Sequence, residues 1–217
     1  MNDMNVAVTP NLWTAMDYFR KQKYLADMLI WVDTLCINQT DTAEKNSQIP
    51  RMRLIYQRAD LVNVWLGPEA NNSSLAMRLI NEYSWSLVTM KTYSPDKTRK
   101  ELGKQFISWA LSDVTHSESL RALAALYRRS YWTRVWIIQE LLSNPGVLIH
   151  CGNEGVLLKP ILALGDDICD MCADSAEYLD RESPDYSVLT QTANDLYTSC
   201  RWTPHLLRDK EIYLDKT

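Results

Sequence analysis

Glycine is scarce in this chain, with six in 217 residues. None of them sets up G-x-G-x-x-G or G-x-x-x-x-G-K, which excludes a Rossmann dinucleotide fingerprint and a phosphate-cradling P-loop. A serine nucleophile elbow and an H-E-x-x-H zinc motif are also absent. No apolar run reaches the length of about 18 residues that a membrane span needs, and Met1 to Pro10 lacks the basic and apolar regions of a secretory signal. The net charge is −4 with the basic residues dispersed, so no electrostatic footprint for nucleic acid is present. Five cysteines, an odd number widely scattered, suit free thiols in a reducing compartment better than a disulfide framework. The expectation is a cytoplasmic protein with neither nucleic acid nor membrane as partner. Phenylalanine is nearly missing as well: two residues, against eight tryptophans and eleven tyrosines. Those amphipathic rings suit a core with polar openings.

The most informative stretch is Ser130 to Ser143, S-Y-W-T-R-V-W-I-I-Q-E-L-L-S. Wound as a helix, it places Trp132 and Trp136 on one face and Tyr131, Val135, Ile138 and Leu142 on another. A helix apolar nearly all round is buried, yet Gln139 and Glu140 flank its tryptophan stripe. A carboxylate there must be paired, be protonated, or face a cleft.

Taken in order, Met4 to Val8 is at best a brief strand. Thr9 then caps a helix over Pro10 to Tyr24. The apolar run Met28 to Leu35 predicts a strand covered on both faces. Asp41 opens a helix to about Arg58 that Pro50 must kink or restart. Leu61 to Leu66 is a second strand and Leu75 to Met90 a helix. Lys91 to Lys104 has the composition of a flexible insertion, with helices over Gln105 to Ser112 and Glu118 to Arg129 beyond it. Val147 to Cys151 is a third strand, closed by Gly152, and helices follow over Ile161 to Glu177 and Val188 to Cys200. Strands separated by helices imply an α/β class with a mostly parallel sheet flanked by helices. Three strands are few for such a sheet, so either an edge strand is too weak to read or part of the fold is missing.

The remaining chemistry is acidic and amide. Asp33, Asn38, Gln39, Asp41 and Glu44 gather where the first strong strand meets its helix, and ligands in open α/β sheets bind outside the carboxyl ends of strands. Capping and turn formation account for Asp41 and Glu44. Asp33, set in an apolar run, needs a partner, with Arg51, Arg53, Arg58 and Arg134 as the options. Cys169-Asp170-Met171-Cys172 is C-x-x-C without a second ligand pair, so it reads as a helix with incidental cysteines.

Three segments carry a resemblance. L-I-W-V-D-T-L-C-I-N-Q-T-D-T-A-E (Leu29 to Glu44), R-L-I-Y-Q-R-A-D-L-V-N-V-W-L-G (Arg53 to Gly67), and R-S-Y-W-T-R-V-W-I-I-Q-E (Arg129 to Glu140) with H-C-G (His150 to Gly152) resemble ordered signatures of the fungal heterokaryon incompatibility (HET) domain. The family's Ser-Tyr-x-Trp-Gly opening has no counterpart, so the resemblance implies a chain lacking the first strand. The Asp-Pro-Arg-Asp motif survives at most as Arg208-Asp209-Lys210. It further implies a Toll/interleukin-1 receptor (TIR)-like, flavodoxin-like sheet. Residues 1–152 would be an N-terminally incomplete HET-like core, and 153–217 the helical C-terminal part of the same domain. The implied function is nonself recognition leading to regulated cell death, with an upstream recognition domain or protein and self-assembly as partners. Some TIR-type domains cleave NAD with a glutamate, and NAD is then substrate rather than retained cofactor. On that reading Glu140 is the catalytic carboxylate, Asp33 and Gln39 orient ribose or phosphate, and Trp132 or Trp136 stacks on the ligand or walls the site. The alternatives are a non-enzymatic signalling module and an inactive fragment.

Overall fold

The computed structural model describes residues 7–23, 28–134, 137–172 and 185–200; nothing is described of the side chains of Ile138, Gln139 and Cys172. Residues 1–6, the positions Tyr24, Val135 and Trp136, and the Arg208-Asp209-Lys210 segment therefore lie outside the described residues. The chain is mixed α/β and mostly helical, with a three-stranded sheet in the order β1-β2-β3 among the described residues. Its strands are β1 (Val62–Trp65), β2 (Val147–Cys151) and β3 (Glu154–Leu157). β1 and β2 run parallel, pairing Val62 with Val147 and Trp65 with His150, whereas β2 and β3 form an antiparallel hairpin. The sheet is thus mixed rather than mostly parallel. β3 was illegible because it is four residues long and buries only Val156, too short to show a period of two. Gly152 makes the hairpin turn at φ +57°, where an added Cβ would also meet Glu69 at 2.9 Å.

The helices divide between the two faces of the sheet. α1 (Pro10–Arg20) starts as expected, with Thr9 Oγ1 accepting from the Leu12 amide at 3.3 Å. It lays Ala15, Tyr18 and Phe19 on the face that carries Trp65 and His150. The opposite face, Val62, Val64, Val147, Ile149 and Val156, joins one large core. That core is built by α5 (Ser73–Tyr93), α6 (Arg99–Leu111), α7 (Ser117–Tyr127), α9 (Leu158–Cys172) and α10 (Tyr186–Cys200). α7 packs against both α5 and α10, and α10 packs against α9.

Two expectations about elements are overturned on the amino-terminal side and beyond. Met28 to Leu35 is not a strand. Residues 28–32 carry no regular structure, with Leu29 fully exposed and Met28 about half exposed, and a single-turn helix α2 (Asp33–Cys36) follows. β propensity is realised only by pairing, and β1 pairs only with β2 among the described residues. Lys91 to Lys104 is not a flexible insertion either. α5 runs through Tyr93, and Thr98 opens α6 with a full capping box, Thr98 amide to Glu101 Oε2 at 2.7 Å and Glu101 amide to Thr98 Oγ1 at 3.3 Å. The basic residues are the solvated side of a helix that buries Leu102, Phe106, Ile107, Ala110 and Leu111.

The long helix around Pro50 breaks as foreseen. α3 (Thr42–Gln48), a 3-10 turn (Ile49–Arg51) and α4 (Met52–Arg58) succeed one another. The stretch Ser130 to Ser143 is not one helix. A 3-10 turn covers Ser130–Thr133, Arg134 is extended, and α8 occupies Ile137–Leu142. Just before the turn, Arg129 is anchored: its guanidinium donates to the carbonyls of Leu66, Pro68 and Ala70 at 2.9–3.2 Å. Tyr131 and Trp132 both turn inward within the 3-10 turn.

Candidate functional site

Glu140 lies on α8 with its side chain 14% exposed. The Tyr131 hydroxyl donates to its Oε2 at 2.8 Å. Arg134, itself about half exposed, stands 3.8 Å from Oε1 and lays its guanidinium over the Tyr131 ring at 5.6 Å from the centroid. Burial first, then the Glu140 charge and its hydrogen bond, push the Tyr131 phenol well above the ordinary tyrosine range. Across from α8, Tyr56 on α4 is pushed up in the same way, by burial and then by the charges of Glu140 and Asp33, with Arg134 opposing. Trp31 meets the Tyr56 ring edge-on, 5.9 Å between centroids. The start of α2, the helix α4, the 3-10 turn and α8 thus converge on one acidic, aromatic cluster.

The cluster is anchored at the amino ends of the strands. Asn144 Nδ2 donates to the carbonyls of Tyr56 and Ala59 at 2.9 and 2.5 Å, and its Oδ1 accepts from the Gly146 amide at 2.7 Å. Gly146 in turn accepts from the Val62 amide at 2.9 Å, where β1 begins. The expectation that Asp33 and Glu140 border a cleft at the carboxyl ends is therefore corrected. The helices that carry Tyr56 and Glu140 lead toward the start of β1 and β2, because each is the last helix before the strand that follows it.

The other proposed site residues are held in local contacts. Asp33 Oδ1 accepts from the Thr34 amide at 2.7 Å and its hydroxyl at 3.1 Å, and among the described residues Asp33 forms no ion pair with any of the four arginines. Gln39 Nε2 donates to the carbonyls of Asp33 and Ile37 at 3.2 and 3.0 Å, closing the turn after α2. Asp41 caps α3 through the Ala43 and Glu44 amides, while Glu44 accepts from the Asn38 amide rather than from the cap residue. Trp132 is 2% exposed and its Nε1 donates to the Leu126 carbonyl at 3.0 Å. It is a core ring packed edge-on against Tyr131, a wall behind the cluster and not a stacking platform. Trp136 lies outside the described residues.

A second polar group escaped the sequence reading. His150 is 1% exposed on the α1 face of β2. Its Nε2 is 2.9 Å from Asn63 Oδ1 on β1, and its Nδ1 is 3.3 Å from the Tyr18 hydroxyl on α1. Burial pushes its pKa down to about 4, because the charged imidazolium is the form that burial penalises. The only sequence signal was alternation along V-L-I-H-C, which puts His150 opposite Ile149 but cannot name partners on two other elements.

The fold is helical mixed α/β, with a tyrosine-held carboxylate beside its parallel strand pair. The chain belongs to the heterokaryon incompatibility (HET) family: the family model "Heterokaryon incompatibility protein (HET)" matches residues 1–140. It is also 29% identical over 175 residues to "Heterokaryon incompatibility protein 6, OR allele" of Neurospora crassa, a match over 73% of this chain and 26% of the relative. The chain thus spans about a quarter of that relative's length. No solved structure matches it significantly. Among the described residues no helix is long and apolar enough to cross a membrane.

Proposed function

We propose that the chain is the effector module of a heterokaryon-incompatibility-type nonself response, and that Glu140 cleaves NAD at the nicotinamide–ribose bond. Family membership and the name of the Neurospora relative support the role. The chemistry is carried by one observation: a largely enclosed carboxylate with one oxygen oriented by the Tyr131 hydroxyl. Tyr131 fixes Oε2, whereas Arg134 at 3.8 Å is too long for a hydrogen bond and leaves Oε1 available. In the reaction the C1′–N bond breaks, nicotinamide leaves with the bonding pair as a neutral base, and the ribose carbon becomes oxocarbenium-like. The Glu140 carboxylate stabilises that developing charge, as carboxylates do in glycoside cleavage. Water then adds at C1′ and releases its proton to solvent, giving ADP-ribose. Asp33 Oδ2 and the Gln39 amide oxygen orient ribose hydroxyls, and Trp132 forms the wall behind them. The parallel β1–β2 pair with helices between its strands supports a TIR-like arrangement. Cytoplasmic action downstream of a recognition domain, with self-assembly, completes this reading.

The test incubates the assembled chain with NAD and measures nicotinamide release. Wild type is expected to release nicotinamide and Glu140→Gln to lose at least about a hundredfold in rate, the scale of removing a principal electrostatic group. Equal rates would remove Glu140 from the chemistry. The Arg134–Glu140 pair favours a second reading, a non-enzymatic signalling module in which Glu140 is structural. Absence of release by intact, assembled wild-type protein decides for that module.

A further inference from the structure

At the far end of β1 from Glu140, the chain leaves the strand through Gly67 and reaches α5, opening a cavity of about 760 Å³ between that loop and α7. The size is that of small-molecule sites, which run roughly from 300 to 1,000 Å³. Three arginines line it, Arg121, Arg128 and Arg129, against one carboxylate, Glu118. Glu118 is turned to the loop, accepting from Asn72 Nδ2 at 2.8 Å. Arg129 spends its donors on three backbone carbonyls, so no carboxylate neutralises its charge. Arg121 and Arg128 are exposed, and among the described residues neither guanidinium has a hydrogen-bond or ion-pair partner. They stand two turns apart at one edge of α7, about 10.5 Å along the axis, a separation that two long guanidinium side chains bridge onto a phosphate chain. The lining Asn72 is the N-cap of the 21-residue helix α5 and makes no side-chain cap bond, so the positive end of that helix adds to the field. This basic concavity sits on a chain of net charge −4.

We propose that this cavity is a binding site for a small phosphorylated ligand, held by Arg121 and Arg128, and separate from the Glu140 cluster. A phosphate is the anion that matches unpaired, forked guanidiniums. The proposal stands whether or not Glu140 cleaves NAD.

Isothermal titration calorimetry on the full chain at low ionic strength tests it, with inorganic pyrophosphate, ADP, adenosine and an oligoglutamate peptide as probes. Pyrophosphate and ADP are expected to bind saturably and to weaken as salt rises, with adenosine silent. Arg121→Gln with Arg128→Gln, both on exposed side chains, should weaken ADP by about tenfold or more, on the scale of lost charged hydrogen bonds. Glu118→Gln should tighten it, since it removes the only carboxylate among the cavity's lining residues. Circular dichroism confirms that each variant is folded. Absence of saturable ADP binding, equal binding by the double variant, binding of the peptide alone, or loss with Glu140→Gln but not with the arginine pair would each overturn the assignment.

Discussion

His150 shows what one buried polar side chain does to stability. Its ordinary pKa of 6.5 falls to about 4 in the folded chain. Above pH 6.5 it is neutral in both states and has no effect. As pH falls below that value the unfolded chain takes up a proton that the folded chain refuses, so stability drops until about pH 4. A shift of this size corresponds to about 3 kcal/mol. Urea unfolding at about pH 7 and about pH 4.5 should therefore show a smaller loss for His150→Asn than for wild type. An equal loss in both proteins would mean that His150 is not the group responsible. Glu140 presents the opposite case at this scale. Its awkward position in an apolar stretch was legible, and the structure supplies Tyr131 and Arg134 as partners. Trp132 was readable only as an aromatic beside it; the Leu126 carbonyl that holds its indole is known from the fold alone.

Between elements, the join of α6 and α9 carries the largest buried charge arrangement described. Asp167 on α9 is fully buried, accepts from the Tyr83 hydroxyl at 2.6 Å, and takes a two-pronged contact from Arg99, both bonds at 3.0 Å. Burial lifts its carboxyl above the usual range, against the pull of Tyr83 and Arg99. The carboxylate is admitted because α6 has no side chain at Gly103, where a Cβ would overlap Asp167 Oδ2. Gly103→Ala should destabilise the chain by about 2–4 kcal/mol, since overpacking and a disrupted buried pair act together. Calorimetric melting checks this, and an unchanged midpoint would show that the helices separate at little cost. The same region explains the misreading of Lys91 to Lys104. A lysine-rich segment looks solvated when read as composition, and its Leu102 joins Phe106, Ile107, Ala110 and Leu111 in a buried face only at helical spacing. Met28 to Leu35 erred in the other direction, because an apolar run becomes a strand only when a neighbour pairs with it.

At the scale of the molecule, one core runs from Val62 on β1 to Cys200 on α10, so the helices after β3 share it with those before. A chain ended after Gly152 would lose β3, α9 and α10 and uncover the faces of α5 and α7 that they bury. It is expected to unfold without a cooperative urea transition, followed by tryptophan fluorescence, whereas a sharp transition would show that the shorter piece is self-sufficient. Local pattern alone determined the helix starts at Thr9 and Asp41, the break at Pro50, the strands at Leu61 and Val147, and the suspicion attached to Glu140, because capping, proline geometry and periodicity act within a few residues. Tertiary structure decided the edge strand β3, the breaking of Ser130 to Ser143, and the position of the carboxylate cluster at the amino ends of the strands. It also brought Asn63, Tyr18 and His150 together and opened the arginine-lined cavity. Each of these depends on groups far apart in the chain meeting in space, and no local pattern encodes which distant partner arrives.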